Sequence, residues 1–407
     1  MSAYGPAGLD EGSTWRPVAA NPHPVFADAP PAPPPAVPRR RGDPLIVLTV
    51  IGFVVVGAVA IGVAGYLLLA VGTVAAAVAF VMALVPLVIV VLAIRWIDRW
   101  EPEPRPALLF ALLWGAAVSV AIALLFSVGV QVVQMVAGVG PSAMADVVSA
   151  VVQAPIVEEV AKGLGLLILF WAFRRGFDGP VDGLVYAATI AVGFAFTENI
   201  QYFGLALLSS GVGGVSEIFF LRGILSPFAH VMFTSCIGIA VGLAARRTGA
   251  IGVLGYFVLG LIPAIALHAF WNGASFVVTN FYAYYVVVQV PLFLLGIAIV
   301  VFLRRAEQRV IRDRLGEYAE VGWFTLAEVR VLSNGALRSQ ATAWAARQGL
   351  GAPFTRFVRD ATKLAFARQR IVSGRDRIGA QVDEAELLRR ITADRAALAG
   401  LPSVPAY

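Results

Sequence analysis

The apolar run from Leu45 to Ile94 constrains this chain more than any other feature. It is about twice the roughly 20 residues that one bilayer crossing takes, so the chain must cross, turn and return. The turn is expected near Val71 to Thr73. Further apolar stretches at approximately 107–136, 147–173, 181–208, 224–245, 250–279 and 283–303 bring the expected spans to eight. With 59% hydrophobic and 14% charged residues over 407 positions, the composition excludes a soluble protein. The expected fold is all-α, a polytopic membrane helix bundle with its transmembrane domain at 44–303.

The arginines orient this bundle, because short loops rich in Lys and Arg stay in the cytoplasm. Arg39, Arg40 and Arg41 precede span 1; Arg95, Arg99 and Arg105 join spans 2 and 3; Arg174 and Arg175 join spans 4 and 5. Arg246 and Arg247 join spans 6 and 7, and Arg304 and Arg305 follow span 8. The intervening loops hold one arginine, Arg222. This alternation predicts a multi-pass protein of the cell membrane with both termini cytoplasmic, and the net charge of +6 is accounted for without nucleic acid.

Residues 1–38, rich in Pro and Ala, have no apolar period and are expected to form a disordered cytoplasmic tail; the first apolar run is too long for a cleaved signal. The single cysteine, Cys236, lies in an apolar run and is read as packing. Residues 304–407 read as an Arg-rich helical cytoplasmic region. There Thr325 with Glu328 forms a capping box, GLGAP at 349–353 breaks the chain, and Asp383 with Glu386 is expected to start another helix. Solvated helices near the inner leaflet are one reading; a module for a cytoplasmic partner is the other.

Ionisable groups inside spans are rare and usually face the bundle interior. Here they are Glu158, Glu159 and Lys162 in span 4, Glu198 beside Asn199 in span 5, His230 in span 6, and His268 with Asn272 in span 7. Glu158 and Lys162 are one helical turn apart, as are His268 and Asn272, while Glu159 lies about 100° round from Glu158. At 1.5 Å per residue Glu158 falls about 16 Å and His230 about 9 Å below the outer ends of their spans. Glu198 and His268 fall about 25 Å and 27 Å above the inner ends of theirs, in a core about 30 Å thick. All four therefore meet in the outer half. A glutamate there can take a proton from water, imidazoles can hold a metal or an oxyanion, and an Asn amide can serve the oxyanion too. The zinc-protease signature HExxH is absent, so spacing alone does not show a metal. Glu158 with Lys162 also reads as an internal ion pair.

The motifs EEVAK (158–162), FAFTEN (194–199), SPFAHVMFTSCIG (226–238) and HAFWN (268–272) together resemble the PrsW family of intramembrane proteases. IDRWEPEP (97–104), followed by LLWG (112–115), resembles the family's cytoplasmic loop, and the similarity spans roughly residues 90–300. That family is similar in motif order to the CAAX prenyl endopeptidases and Abi proteins, with Glu198 standing where their motif has histidine. The resemblance implies hydrolysis of peptide bonds in membrane-anchored proteins, anti-sigma factors among them, within the lipid bilayer. It implies catalytic roles for Glu158, Glu159, Glu198, His230, His268 and Asn272. Either Glu158 or Glu159 is the base, with Glu159 slightly favoured because Glu158 can pair with Lys162. Glu198, His230 and His268 are the expected ligands of zinc or another divalent metal, in competition with a metal-independent glutamate mechanism. Asn272 is expected to bond the tetrahedral intermediate.

A proton-coupled transporter using Glu198, His230 and His268 as a relay is the competing reading, although no internal repeat supports it. A membrane scaffold accounts for residues 304–407 but not for the buried charges.

Overall fold

The computed structural model describes residues 44–140, 142–174, 176–249, 251–374 and 377–398; the tail expected at 1–38 lies outside them. Among the described residues every regular element is a helix. Helices α1 (Pro44–Val71) and α2 (Thr73–Ile97) form the expected hairpin, broken at Gly72. Then come α3 (Arg105–Leu113), α4 (Val120–Val136), α5 (Ala143–Val148), α6 (Ala154–Ala172), α7 (Pro180–Phe219), α8 (Ala229–Arg247), α9 (Val253–Val277), α10 (Phe281–Tyr284) and α11 (Val290–Glu320).

Among the described residues six helical stretches are long and apolar enough to cross a membrane: Thr49–Val71, Thr73–Ile97, Arg105–Val136, Pro180–Arg247, Val253–Val277 and Phe281–Glu320. The stretch Pro180–Arg247 contains both α7 and α8, and α6 carries three charges, so apolarity alone does not select it. Three expected ends move. The fifth span, expected to end at 208, runs on as α7 to Phe219. The sixth span is expected to begin at 224, but the chain breaks at 226–228 and α8 starts at Ala229. The eighth does not stop at Arg304: α11 runs on to Glu320, because nothing after the arginines breaks a helix.

Helix α7 is the bundle's axis, buried on every face from Pro180 to Ala195. It crosses α8 closely enough that a Cβ on Gly183 would stand 2.0 Å from the carbonyl oxygen of Gly238. Small residues in this register let helix backbones touch where lipid offers no hydrophobic drive to bring them together. At Gly211 the backbone takes φ 64°, ψ −155°, a conformation that only glycine adopts freely, and the helix breaks there.

Among the described residues four π-helical turns interrupt the spans: Trp114–Ser119, Ser149–Gln153, Phe220–Leu225 and Tyr285–Gln289. Such wide turns disturb the regular backbone ladder and often accompany functional positions. Neighbouring side chains bond their carbonyls: Thr197 donates to Ala116 O (2.7 Å), Asn272 to Ala150 O (2.9 Å) and Tyr285 to Leu225 O (2.8 Å).

The loop between α2 and α3 holds IDRWEPEP. Asp98 accepts the Glu103 amide at 3.1 Å, and Tyr186 donates to Glu103 Oε2 at 2.5 Å. Burial pushes the Asp98 carboxyl up to about 6, against the pull of that amide. Burial, then the charge of Asp182, pushes Glu103 well above the usual carboxylate range.

The chain divides into two compact units, one ending at Glu307 and one starting at Gln308. The second contains the end of α11, α12 (Leu326–Ser333), α13 (Gly335–Arg347), α14 (Gly351–Val372) and α15 (Arg377–Leu398). The Thr325 and Glu328 capping box forms as expected. Asp383 does not start a helix: α15 already runs from Arg377, and the Asp383 carboxylate instead accepts from Arg370 at 2.8 Å.

Candidate functional site

The structure brings together the polar residues of α6, α7, α8 and α9. They meet where α6 and α8 begin and α9 approaches its end, around a cavity of about 460 Å³. Glu158, Glu198, Arg222, His230, His268 and Asn272 all line it. Phe233 and Trp271 form part of its apolar wall.

Lys162 is completely buried and organises the floor. Its ammonium lies 2.9 Å from Glu159 Oε1, 3.3 Å from Glu158 Oε2 and 3.2 Å from His230 Nδ1, which occupies its three donors. It also sits 3.9 Å from the centre of the Phe194 ring, a cation–π contact. Because Lys162 can only donate, His230 accepts at Nδ1 and carries its proton on Nε2, which donates to Glu198 Oε2 at 2.8 Å. Glu198 Oε2 also accepts from Arg222 Nη2 at 2.5 Å, and Arg222 Nε donates to Asn199 at 2.9 Å.

The two adjacent glutamates have different surroundings. Glu159 has no solvent exposure, and its oxygens accept from Lys162, from His268 Nδ1 (3.1 Å) and from Thr234 (2.8 Å). Glu158 lines the cavity and takes one hydrogen bond, from Lys162. With Nδ1 committed to Glu159, His268 presents its Nε2 lone pair 3.8 Å from Glu158 Oε2. Phe233 stacks on the His268 ring at 4.8 Å and holds its plane. The arrangement therefore offers a carboxylate and an unprotonated imidazole nitrogen facing one polar space.

Glu158, His230 and His268 each place one ligand atom within 4.8 Å of the others, a grouping that can hold a metal ion. The donor set fits a divalent cation. His268 is oriented by Glu159 through its second nitrogen, the usual support for a ligating imidazole. His230 must release either Lys162 or Glu198 to serve as the third ligand. Glu198, expected among the ligands, instead bridges His230 and Arg222. Asn272 reaches the cavity with one amide N–H held by Ala150 O and the second left for another acceptor.

Two site residues are absent from the sequence expectations. Arg222 serves there only as an exception to the charge alternation, yet a lone arginine on the arginine-poor side was a signal of internal pairing. Thr234 lies one turn beyond His230, on the same helix face, and that spacing could have found it.

Comparison with known proteins finds similarity over the part of the chain that carries these residues. A family model described as PrsW family intramembrane metalloprotease matches residues 103–296. Among similar proteins, Protease PrsW of Geobacillus kaustophilus is 32% identical over 148 residues, 36% of this chain and 58% of that protein. Protease PrsW of Clostridioides difficile is 31% identical over 159 residues, 39% of this chain and 63% of its own length. Protease PrsW of Oceanobacillus iheyensis is 27% identical over 164 residues, 40% and 70% respectively. The matched segment thus covers about three fifths of the first of these relatives, and no solved structure matches the chain. The region matched by that family model, just under half of the chain, holds every residue lining the polar cavity.

Proposed function

We propose that the chain is an intramembrane endopeptidase of the cell membrane that cleaves membrane-anchored protein substrates, with anti-sigma factors as the substrate class and both termini cytoplasmic. The observation that carries this reading is the pairing of Glu158 with the free Nε2 of His268 across a polar cavity, with Glu159 holding the other face of that imidazole.

Glu158 is the general base: it removes a proton from a water that attacks the scissile carbonyl carbon, and returns it to the leaving amine as the C–N bond breaks. This reverses the sequence-based preference for Glu159, whose oxygens are already occupied by three donors. Asn272, through its second N–H, stabilises the oxyanion, and Arg222 holds Glu198 so that Glu198 fixes His230. His230 and His268 would hold a divalent ion such as zinc beside Glu158, and the ion would acidify water and polarise the carbonyl. The helical unit beyond Gln308 is a candidate for contact with a cytoplasmic partner.

Comparative proteomics of membrane fractions tests the proposal. Cells carrying Glu158→Gln should accumulate a membrane-anchored precursor, and purified Glu158→Gln protein should cleave it about 10²- to 10⁴-fold more slowly than wild type. Normal cleavage by both Glu158→Gln and Glu159→Gln would overturn the protease reading.

A further inference from the structure

A second cavity, of about 360 Å³, adjoins the polar one. Its walls come from α2, α7, α8, α9 and α11, and Phe233 and Trp271 line both spaces. The lining is apolar apart from Ser235 and Cys236. It reaches from Trp271, beside the site, to Trp96 and Ile97 at the far end of α2. Along α11 it is lined from Leu292 to Val301, about 14 Å at the helical rise.

Two features mark this groove as a receptor rather than a packing fault. Ser235 is only 7% exposed, lines the groove, and its hydroxyl has no hydrogen-bond partner. A buried hydroxyl left without a bond is costly in an apolar setting, so this one stands ready for an incoming acceptor or donor. Helix α11 is pinned at the far end, where Arg304 stacks on the Trp96 ring at 3.9 Å, but along the groove Leu295, Ile297 and Ile299 are all exposed.

We infer that this groove docks the membrane-spanning helix of the substrate, laying one face of it against α8 and α11 so that its end is delivered past Phe233 and Trp271 to Glu158. The inference rests on the protease reading and adds where the substrate is held. A helix segment 14 Å long and 10 Å across fills about 1,100 Å³, so the groove takes the side chains of one face and not the whole helix. A substrate helix fits the features together: apolar side chains for the walls, a backbone or side-chain polar group for Ser235, and continuity with the space where a peptide bond would be cut.

Gly296 supplies the test. A Cβ there would meet Met232 at 3.7 Å, ordinary contact, so Gly296→Phe fills the groove without a backbone clash. The assay uses full-length protein in liposomes and the precursor that accumulates with Glu158→Gln, both intact and as a soluble peptide spanning its cleaved bond. Gly296→Phe should lower kcat/KM for the intact precursor about tenfold, as loss of a buried anchor does, and leave the soluble peptide unaffected. Leu294→Phe, outside the groove lining, should change neither. Equal loss on both substrates, or loss on neither, overturns the docking site. If wild type cleaves neither form, the protease reading itself falls.

A second measurement reads docking without turnover. Cys236 is the chain's one cysteine and lines the groove, so single cysteines walked along the precursor's membrane helix should form oxidant-induced disulfides with it in Glu158→Gln protein. The yield should repeat about every 3.6 residues and vanish with Gly296→Phe. Uniform or absent yield, or a disulfide between two copies of the protein instead, overturns the proposal.

Discussion

At the residue scale, the question is how three buried charges on one turn of α6 divide their work. Glu158 and Glu159 are neighbours in sequence, but their side chains leave the helix about 100° apart, one into the cavity and the other into a cage of Lys162, Thr234 and His268. Motif spacing shows that the two directions differ and not what lies in each. Arg222 makes the same point from outside the motif. It bonds Glu198 and Asn199, and its guanidinium lies 4.1 Å from the Tyr202 ring centre. Replacing a residue that supports a site ligand typically costs about 10- to 100-fold in activity. Arg222→Gln should therefore lower kcat by that order with KM little changed, and Arg222→Lys should restore only part, since an ammonium cannot bond Glu198 and Asn199 as a fork does. A kcat unaffected by Arg222→Gln would remove Arg222 from the site.

At the element scale, the bundle depends on places where helices depart from regularity or lack side chains. The π-helical turn at 149–153 presents Ala150 O to Asn272, joining the approach to α6 with α9, and the turn at 220–225 carries Arg222 to Glu198. Neither departure is written in apolar periodicity, which reports the burial of side chains and is blind to a widened backbone turn. The α7–α8 crossing is more legible, because Gly238 and Gly242 are four apart and face the glycine at 183. Gly183→Leu should force the two helices apart and cost about 3 kcal/mol, the upper end of overpacking, read as a lowered thermal midpoint in detergent. Gly62→Ala, with nothing within 4 Å of the new Cβ, should leave that midpoint unchanged or raised.

At the scale of the whole molecule, the α2–α3 loop predicts a pH dependence. In an unfolded chain Asp98 would titrate near about 3.9, and in the fold burial holds it up at about 6. Between those values the folded state keeps a proton that the unfolded chain releases, so the loop's contribution falls as pH rises from 4 to 6 and stays low above. Glu103 is shifted in the same direction, by burial and then by Asp182. The protein should therefore melt higher at pH 5 than at pH 7, and Asp98→Asn, which still accepts the Glu103 amide, should shrink that difference. An unchanged difference would remove Asp98 as its source.

The sequence by itself determined the solvent, the class of fold and which spans carry the polar residues that meet around the cavity. Those follow from one-dimensional quantities: apolar lengths set against bilayer thickness, arginines alternating between loops, and the spacing of rare ionisable groups. The tertiary structure alone decided which carboxylate faces the cavity, that Arg222 and Thr234 belong to the site, and that an apolar groove with an unbonded Ser235 opens beside it. The physical reason is that a residue's chemistry inside a membrane depends on its hydrogen-bond partners and on what lies in front of it. Both are supplied by residues as far apart in the chain as Glu159 and His268.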